Sequence, residues 1–227
     1  MRERPIPFKA PMVLALLDGR KTQTRRVMKP QPLTVTGSGS RIYRDEDFKK
    51  SWADFPGTHQ GSGLVDCPYG APGDRLWVRE TWQAWSRVSV EYDEWEAWTT
   101  EERNGRSFDE YRADRGGPDS IEYRATSDST GPWTPSIHMP RWASRLLLEV
   151  TDVRVERLQE ISAADAIAEG LSWVSPTYGI RGMAKTWDAD PRVSYAALWE
   201  SINGAAAWAA NPWVWVVSFK RAEAPHA

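Results

Sequence analysis

Hydrophobic and polar positions fall into short, separate blocks along this chain, with no sustained amphipathic repeat. In residues 11–18, Met12, Val13, Leu16 and Leu17 share one helical face, Pro11 suits the first turn, and Gly19 is a natural left-handed stop. Residues 72–82 open on a Pro-Gly-Asp turn and then set Leu76, Val78 and Glu80 against Trp77, Arg79 and Thr81, the period of a strand. Residues 145–158 predict the longest strand or strand pair. Leu146, Leu148 and Val150 keep one parity there while Val153 and Val155 keep the other, so a bulge or bend is expected at Thr151-Asp152. Ser162 can cap a helix ending at Gly170, with Asp165 as a weaker form of the capping-box acid. A further helix is predicted over residues 193–202, closed by Asn203-Gly204. Residues 213–219 predict a buried strand with Trp213, Trp215, Val217 and Phe219 on one face and Val214 and Val216 on the other.

Three stretches interrupt this order. Residues 33–66, rich in Gly, Ser, Asp and Thr, and residues 83–131 and 172–191 read as long insertions. The mixture predicts one α+β domain over residues 1–221, followed by a tail at 222–227. A chain of 227 residues is long enough to bury a core without a disulfide or a structural metal.

Composition adds one anomaly: 14 Trp stand beside only 5 Phe and 7 Tyr. Trp77, Trp142, Trp199, Trp213 and Trp215 fall in predicted scaffold elements and are expected in the core. Trp52, Trp85, Trp95, Trp98, Trp133, Trp173 and Trp187 lie in or beside the insertions, which are therefore expected to fold back and wall a pocket. Trp208 lies just before the last strand. The lone Cys67 leaves no intramolecular disulfide and no cysteine-built zinc site, which points to a reducing, cytoplasmic location. The apolar patch at residues 12–17 is too short for a signal peptide, and no stretch approaches the roughly 18 apolar residues of a spanning helix. The net charge of −2 hides an asymmetry. Residues 1–29 hold eight Lys or Arg against Glu3 and Asp18, whereas residues 91–102 hold six acids and no base. A basic face of this kind attracts polyanions, and ordinary solvated charge explains it equally well.

The chemistry concentrates in Arg20-Lys21-Thr22-Gln23-Thr24-Arg25-Arg26. A threonine hydroxyl becomes a nucleophile when a base takes its proton, and a lysine desolvated among cations can serve as that base. Residues three apart point to opposite faces of a straight strand, so Lys21 and Thr24 can cooperate only if the backbone turns after Gly19. Glu169, at a helix C-terminus, and Glu80, on a strand between Trp77 and Trp82, are the candidate carboxylates. The plain alternative for Glu80 is an ion pair with Arg79 or Arg75. His138 lies in a polar and aromatic segment. With only 3 His, a histidine metal site is not expected, and no phosphate loop, zinc spacing, nucleophile elbow or dinucleotide fingerprint is present.

Gly19-Arg20-Lys21-Thr22-Gln23-Thr24-Arg25-Arg26 resembles the G-x-K-x-x-T-x-R signature of the ASCH superfamily. The blocks GDRLWVRETW, SIHMPRWASR and NPWVWVVSF are similar to its phage and prophage branch, and the likeness covers a little over half the chain. It implies a PUA-like fold, a small curved β-barrel flanked by short helices, without cofactor or metal. It further implies either hydrolysis of the acetyl amide of N4-acetylcytidine by a Lys-Thr-Glu site or RNA and modified-base binding by stacking on Trp in a basic cleft. Matched residue by residue, the catalytic set is Lys21, Thr24 and Glu169, with Glu80 as rival carboxylate. The substrate-binding set is Arg20, Arg26, Arg79, Glu80, Trp82 and His138. The partner is then a modified nucleoside or nucleic acid, with no membrane. A third possibility, a phage-associated adaptor whose insertions bind protein, rests on the acidic run at 91–102.

Overall fold

A computed structural model describes residues 1–32, 35–36, 41–44, 64–85, 120–183 and 187–222. Most of the first two insertions, with Trp52, Trp95, Trp98 and the acidic run, lies outside the described residues, as does the tail from 223 onward.

The fold is α+β, built on a five-stranded sheet in the order β1-β6-β9-β12-β2. Its strands are β1 (Glu3–Pro7), β2 (Gln23–Val27), β6 (Arg75–Arg79), β9 (Leu147–Arg157) and β12 (Trp213–Ala222). β1 runs parallel to β6, and the other neighbours are antiparallel. Among the described residues the helices are α1 (Ala10–Leu17), α2 (Ala163–Ala168) and α3 (Pro191–Asn203). No helix among the described residues is long and apolar enough to cross a membrane.

The insertions contribute small sheets of their own. Within residues 33–66, β3 (Val35–Thr36), β4 (Arg41–Arg44) and β5 (Leu64–Asp66) form one. β7 (Trp82–Trp85) pairs with β8 (Ser120–Tyr123) across the ends of the second. In the third, β10 (Ser172–Val174) and β11 (Thr177–Gly179) make a hairpin that leads into α3.

The bulge expected near Thr151 is present. Ser218 pairs with Asp152 and Phe219 with Val150, so Thr151 is the extra, unpaired residue, and the inward parity of β9 switches there. β12 is buried on both faces: Val214, Trp215, Val216 and Val217 are all at or below 2% exposure. It lies between β9 and β2, extends three residues beyond the expected end, and takes in the first residue assigned to the tail. Ser162 caps α2 by accepting from the Asp165 N–H, and Gly170, at φ 105°, turns the chain away after the cap residue Glu169.

The described strands form an open sheet rather than a closed barrel, and the sequence of β1 supplies a reason. The Phe8 N–H donates to Arg79 O of β6, so residues of the opposite parity, Pro5 and Pro7 among them, face the free edge. Both lack an N–H, which deprives that edge of donors for another ladder. The two edges of the sheet nevertheless meet through side chains. Arg26 of β2 donates to Pro7 O at 2.7 Å, and its guanidinium lies 5.0 Å from the centre of the Phe8 ring.

The tryptophans divide differently from the expectation. Trp199 and Trp215 are core residues, and Trp77 and Trp213 are partly buried. Trp142 is 59% exposed because it sits on a short 3-10 turn, Arg141–Ala143, that points it out beside Trp82. Trp187 covers Gly179, where a side chain would overlap the indole, so these two residues of the third insertion pack on each other. Trp173 of the same insertion packs on Tyr178 and remains 54% exposed.

Candidate functional site

Backbone geometry brings Lys21 and Glu169 together. After α1, Gly19 at φ 73° reverses the chain, and the Lys21 N–H returns to Ala15 O at 3.0 Å. Lys21 therefore stands before β2 and forms an isolated antiparallel bridge with Glu169, while the Thr22 N–H donates to Ala168 O. Gly170 permits this approach, since a methyl there would lie 2.9 Å from Ala15 Cβ and 3.1 Å from Lys21 Cβ. The turn after Gly19 sets Lys21 against Glu169, and among the described residues no hydrogen bond joins Lys21 to Thr24. Both side chains are buried, and Thr24 pairs with Val217 on β12.

Lys21 Nζ donates to Glu169 Oε2 and to Glu169 O, each at 2.8 Å. Loss of water around this buried amine pulls its pKa below the ordinary lysine value. The Glu169 carboxylate opposes that shift, and the charges of Arg26 and Arg25 reinforce it. Glu169 is no freer than Lys21. Its Oε1 lies 3.5 Å from Arg25 Nη1, and the Tyr195 phenol of α3 also faces it. Burial, followed by the nearby Glu169 charge, holds Tyr195 well above the usual phenol range, so Tyr195 is neutral.

Arg25 is the residue that reading the sequence undervalued. Its Nη2 lies 2.9 Å from Glu156 Oε2 and 3.4 Å from Asp165 Oδ2, and Arg154 bonds the same two carboxylates from the other side. The partners are contributed by β9, α2 and the residue that closes α2. Asp165 was legible as a helix-capping acid; Tyr195 carried no signal beyond an apolar helix position.

The other expected residues are dispersed around this centre. Arg20 donates to Gly170 O at 2.6 Å and pairs with Asp18 at the surface. Phe8 touches both Arg26 and Lys21, its ring centre 5.6 Å from Nζ. Glu80 is buried but belongs to a separate pair, with Oε1 and Oε2 accepting from Arg145 at 2.9 and 3.0 Å. It pairs with neither Arg79 nor Arg75. Arg145 in turn stacks on Tyr123 at 4.0 Å. Arg79 lies over Trp77 at 5.4 Å. Trp82 meets Trp142 edge-to-face at 5.7 Å, its Nε1 buried without a hydrogen-bond partner. His138 is exposed on the 3-10 turn Ser136–His138.

Among the described residues no group of three or more His, Cys, Asp or Glu is placed to hold a metal ion. Burial pushes the Cys67 thiol up to about 12, far from a nucleophilic thiolate at neutral pH. Comparison of the chain with protein-family models, curated proteins and solved structures gave no match.

Proposed function

We propose that the protein is a hydrolase that removes an acyl group from the exocyclic amine of a cytidine-type nucleoside or nucleotide, using Lys21, Thr24 and Glu169 on a PUA-like domain. The observation that carries this reading is the buried Lys21–Glu169 pair, with Nζ bonded at 2.8 Å to both the carboxylate and the backbone oxygen of Glu169. Those two bonds occupy two directions around Nζ. In the neutral amine they use its two N–H groups, and the lone pair is left for a proton from elsewhere.

Lys21 takes the Thr24 proton as Thr24 Oγ attacks the acyl carbonyl. The same proton then passes to the exocyclic nitrogen as the C–N bond breaks, leaving an acyl ester on Thr24. Water, deprotonated by Lys21, hydrolyses the ester and restores the hydroxyl. Glu169 orients Lys21 and balances its charge after each transfer. Arg26, beside the pair, or a neighbouring backbone amide stabilises the oxyanion. Lowering of the Lys21 pKa by burial supports its part as a base operating nearer neutrality.

Hydrolysis of N4-acetylcytidine by the purified chain tests the proposal. Wild type should release cytidine and acetate, and Lys21→Ala should lose activity about 100-fold or more. Equal rates for the two would remove the mechanism.

Retention of a modified base without turnover is the second reading, favoured by the exposed Trp142 beside Trp82 and its unpaired Nε1. A base stacked there would contribute ~1 to 3 kcal/mol, and salt-sensitive oligonucleotide binding without product would identify this case.

A further inference from the structure

The hydrolase reading leaves Arg25 without a role, although its side chain is fully buried and meets three carboxylates: Glu156 Oε2 at 2.9 Å, Asp165 Oδ2 at 3.4 Å and Glu169 Oε1 at 3.5 Å. On Glu169 the two oxygens are divided, Oε1 toward Arg25 and Oε2 toward Lys21. We propose that Arg25 is a positioning residue of the Lys21 site, its planar guanidinium fixing Glu169 through Oε1 so that Oε2 remains on Lys21 Nζ. This inference deepens the hydrolase reading and rests on it.

A guanidinium suits the task because its donors diverge in one plane and can serve several carboxylates at fixed angles; an ammonium is a point charge on a flexible stem. The surroundings alternate in sign. Lys21 meets Glu169, Glu169 meets Arg25, Arg25 meets Glu156 and Asp165, and both of those meet Arg154. A tie needed only to hold α2 and β9 against β2 is already available in the Arg25 contacts with Asp165 and Glu156. The approach to Glu169 is the contact that bears on the site.

The charged and titratable groups around Lys21 come from several elements. Glu169 follows α2, Arg25 and Arg26 belong to β2, and Tyr195 of α3 reaches the pair through Glu169. Asp165 of α2 and Glu156 and Arg154 of β9 stand behind Arg25. Removing the Arg25 charge takes one cation from this set and leaves Glu156, Asp165 and Glu169 less compensated. Lys21 then keeps its proton to higher pH. If neutral Lys21 is the base, activity climbs with pH as Lys21 deprotonates, and that rising limb moves up with it. Arg25→Lys separates charge from geometry by keeping the first and losing the fork.

The experiment measures N4-acetylcytidine turnover from about pH 5 to 10 for wild type, Arg25→Gln and Arg25→Lys, alongside an NMR titration of Lys21 assigned with Lys21→Ala. Arg25→Gln is expected to lower kcat roughly 10- to 100-fold with little change in KM, because Arg25 does not touch substrate, and to move both the rising limb and the Lys21 midpoint upward. Arg25→Lys should return the limb to its wild-type position while kcat stays reduced. A folded Arg25→Gln protein with wild-type kcat and limb, changed only in melting temperature, would overturn the proposal. Should Arg25→Gln not fold, an Arg25→Lys protein with unreduced kcat overturns it instead. Absence of turnover in wild type would sink the hydrolase reading separately. The NMR midpoint then decides the Arg25 claim, with an unmoved value in Arg25→Gln counting against it.

Discussion

Two carboxylates among the described residues are buried, Glu80 at 2% exposure and Glu169 at 3%, and each is paired with a cation. They differ in the partner. Glu80 is held through both oxygens by Arg145, a group that never releases its proton, in a geometry typical of a fixed ion pair. Glu169 is bound to Lys21, whose proton burial has loosened, and it shares its second oxygen with Arg25. A buried carboxylate is therefore informative about chemistry only when its cation can titrate. The distinction separates a pair whose cation stays charged from one whose cation is shifted toward losing its proton.

Replacing Arg145 should produce the largest effect on stability. Arg145→Leu leaves Glu80 charged, buried and unpaired, a loss of ~3 to 5 kcal/mol in denaturant unfolding at neutral pH. Its pH dependence sharpens the contrast. Burial already raises the Glu80 pKa above its ordinary value, with Arg145 only partly opposing the shift, and removal of Arg145 raises it further. A raised folded-state pKa means stability that is fully present below the unfolded value and lost as pH rises through the folded one. The gap between variant and wild type should accordingly close as pH falls through the carboxylate range, and a gap independent of pH would show that charge burial is not its cause.

A smaller effect is expected at Gly170, beside the other pair. Gly170→Ala forces an alanine to φ 105° and brings its methyl to 2.9 Å from Ala15 Cβ and 3.1 Å from Lys21 Cβ. A cost of about 2 kcal/mol follows, together with loss of turnover out of proportion to the folded fraction, because Lys21 is displaced. Unfolding in denaturant and activity per folded molecule check the two parts separately.

Local devices were legible before the structure. The Gly19 stop, the Ser162 cap, the Gly170 turn and the Thr151 bulge all announce themselves within a few residues. β1 was not expected: Pro5 and Pro7 lack the N–H of a ladder strand, and it is their place on a sheet edge that accommodates them. The spacing of Lys21 and Thr24 drew attention to the segment, but which cation Glu80 and Glu169 would each meet was not readable from it. Arg145 is 65 residues from Glu80, and Glu169 is 148 residues from Lys21. The partners of Arg25 are also remote, from 131 residues for Glu156 to 144 for Glu169 with Asp165 between them, which is why a cation of ordinary appearance in sequence becomes the hub of an ion network in the fold.

The most direct test compares turnover of N4-acetylcytidine, per folded molecule, by Glu169→Gln and Glu80→Gln. Glu169→Gln is expected to fall about 100-fold or more, whereas Glu80→Gln should keep turnover close to wild type despite lower stability. Equal losses in the two variants, or the greater loss in Glu80→Gln, would contradict the assignment of proton transfer to the Lys21–Glu169 pair.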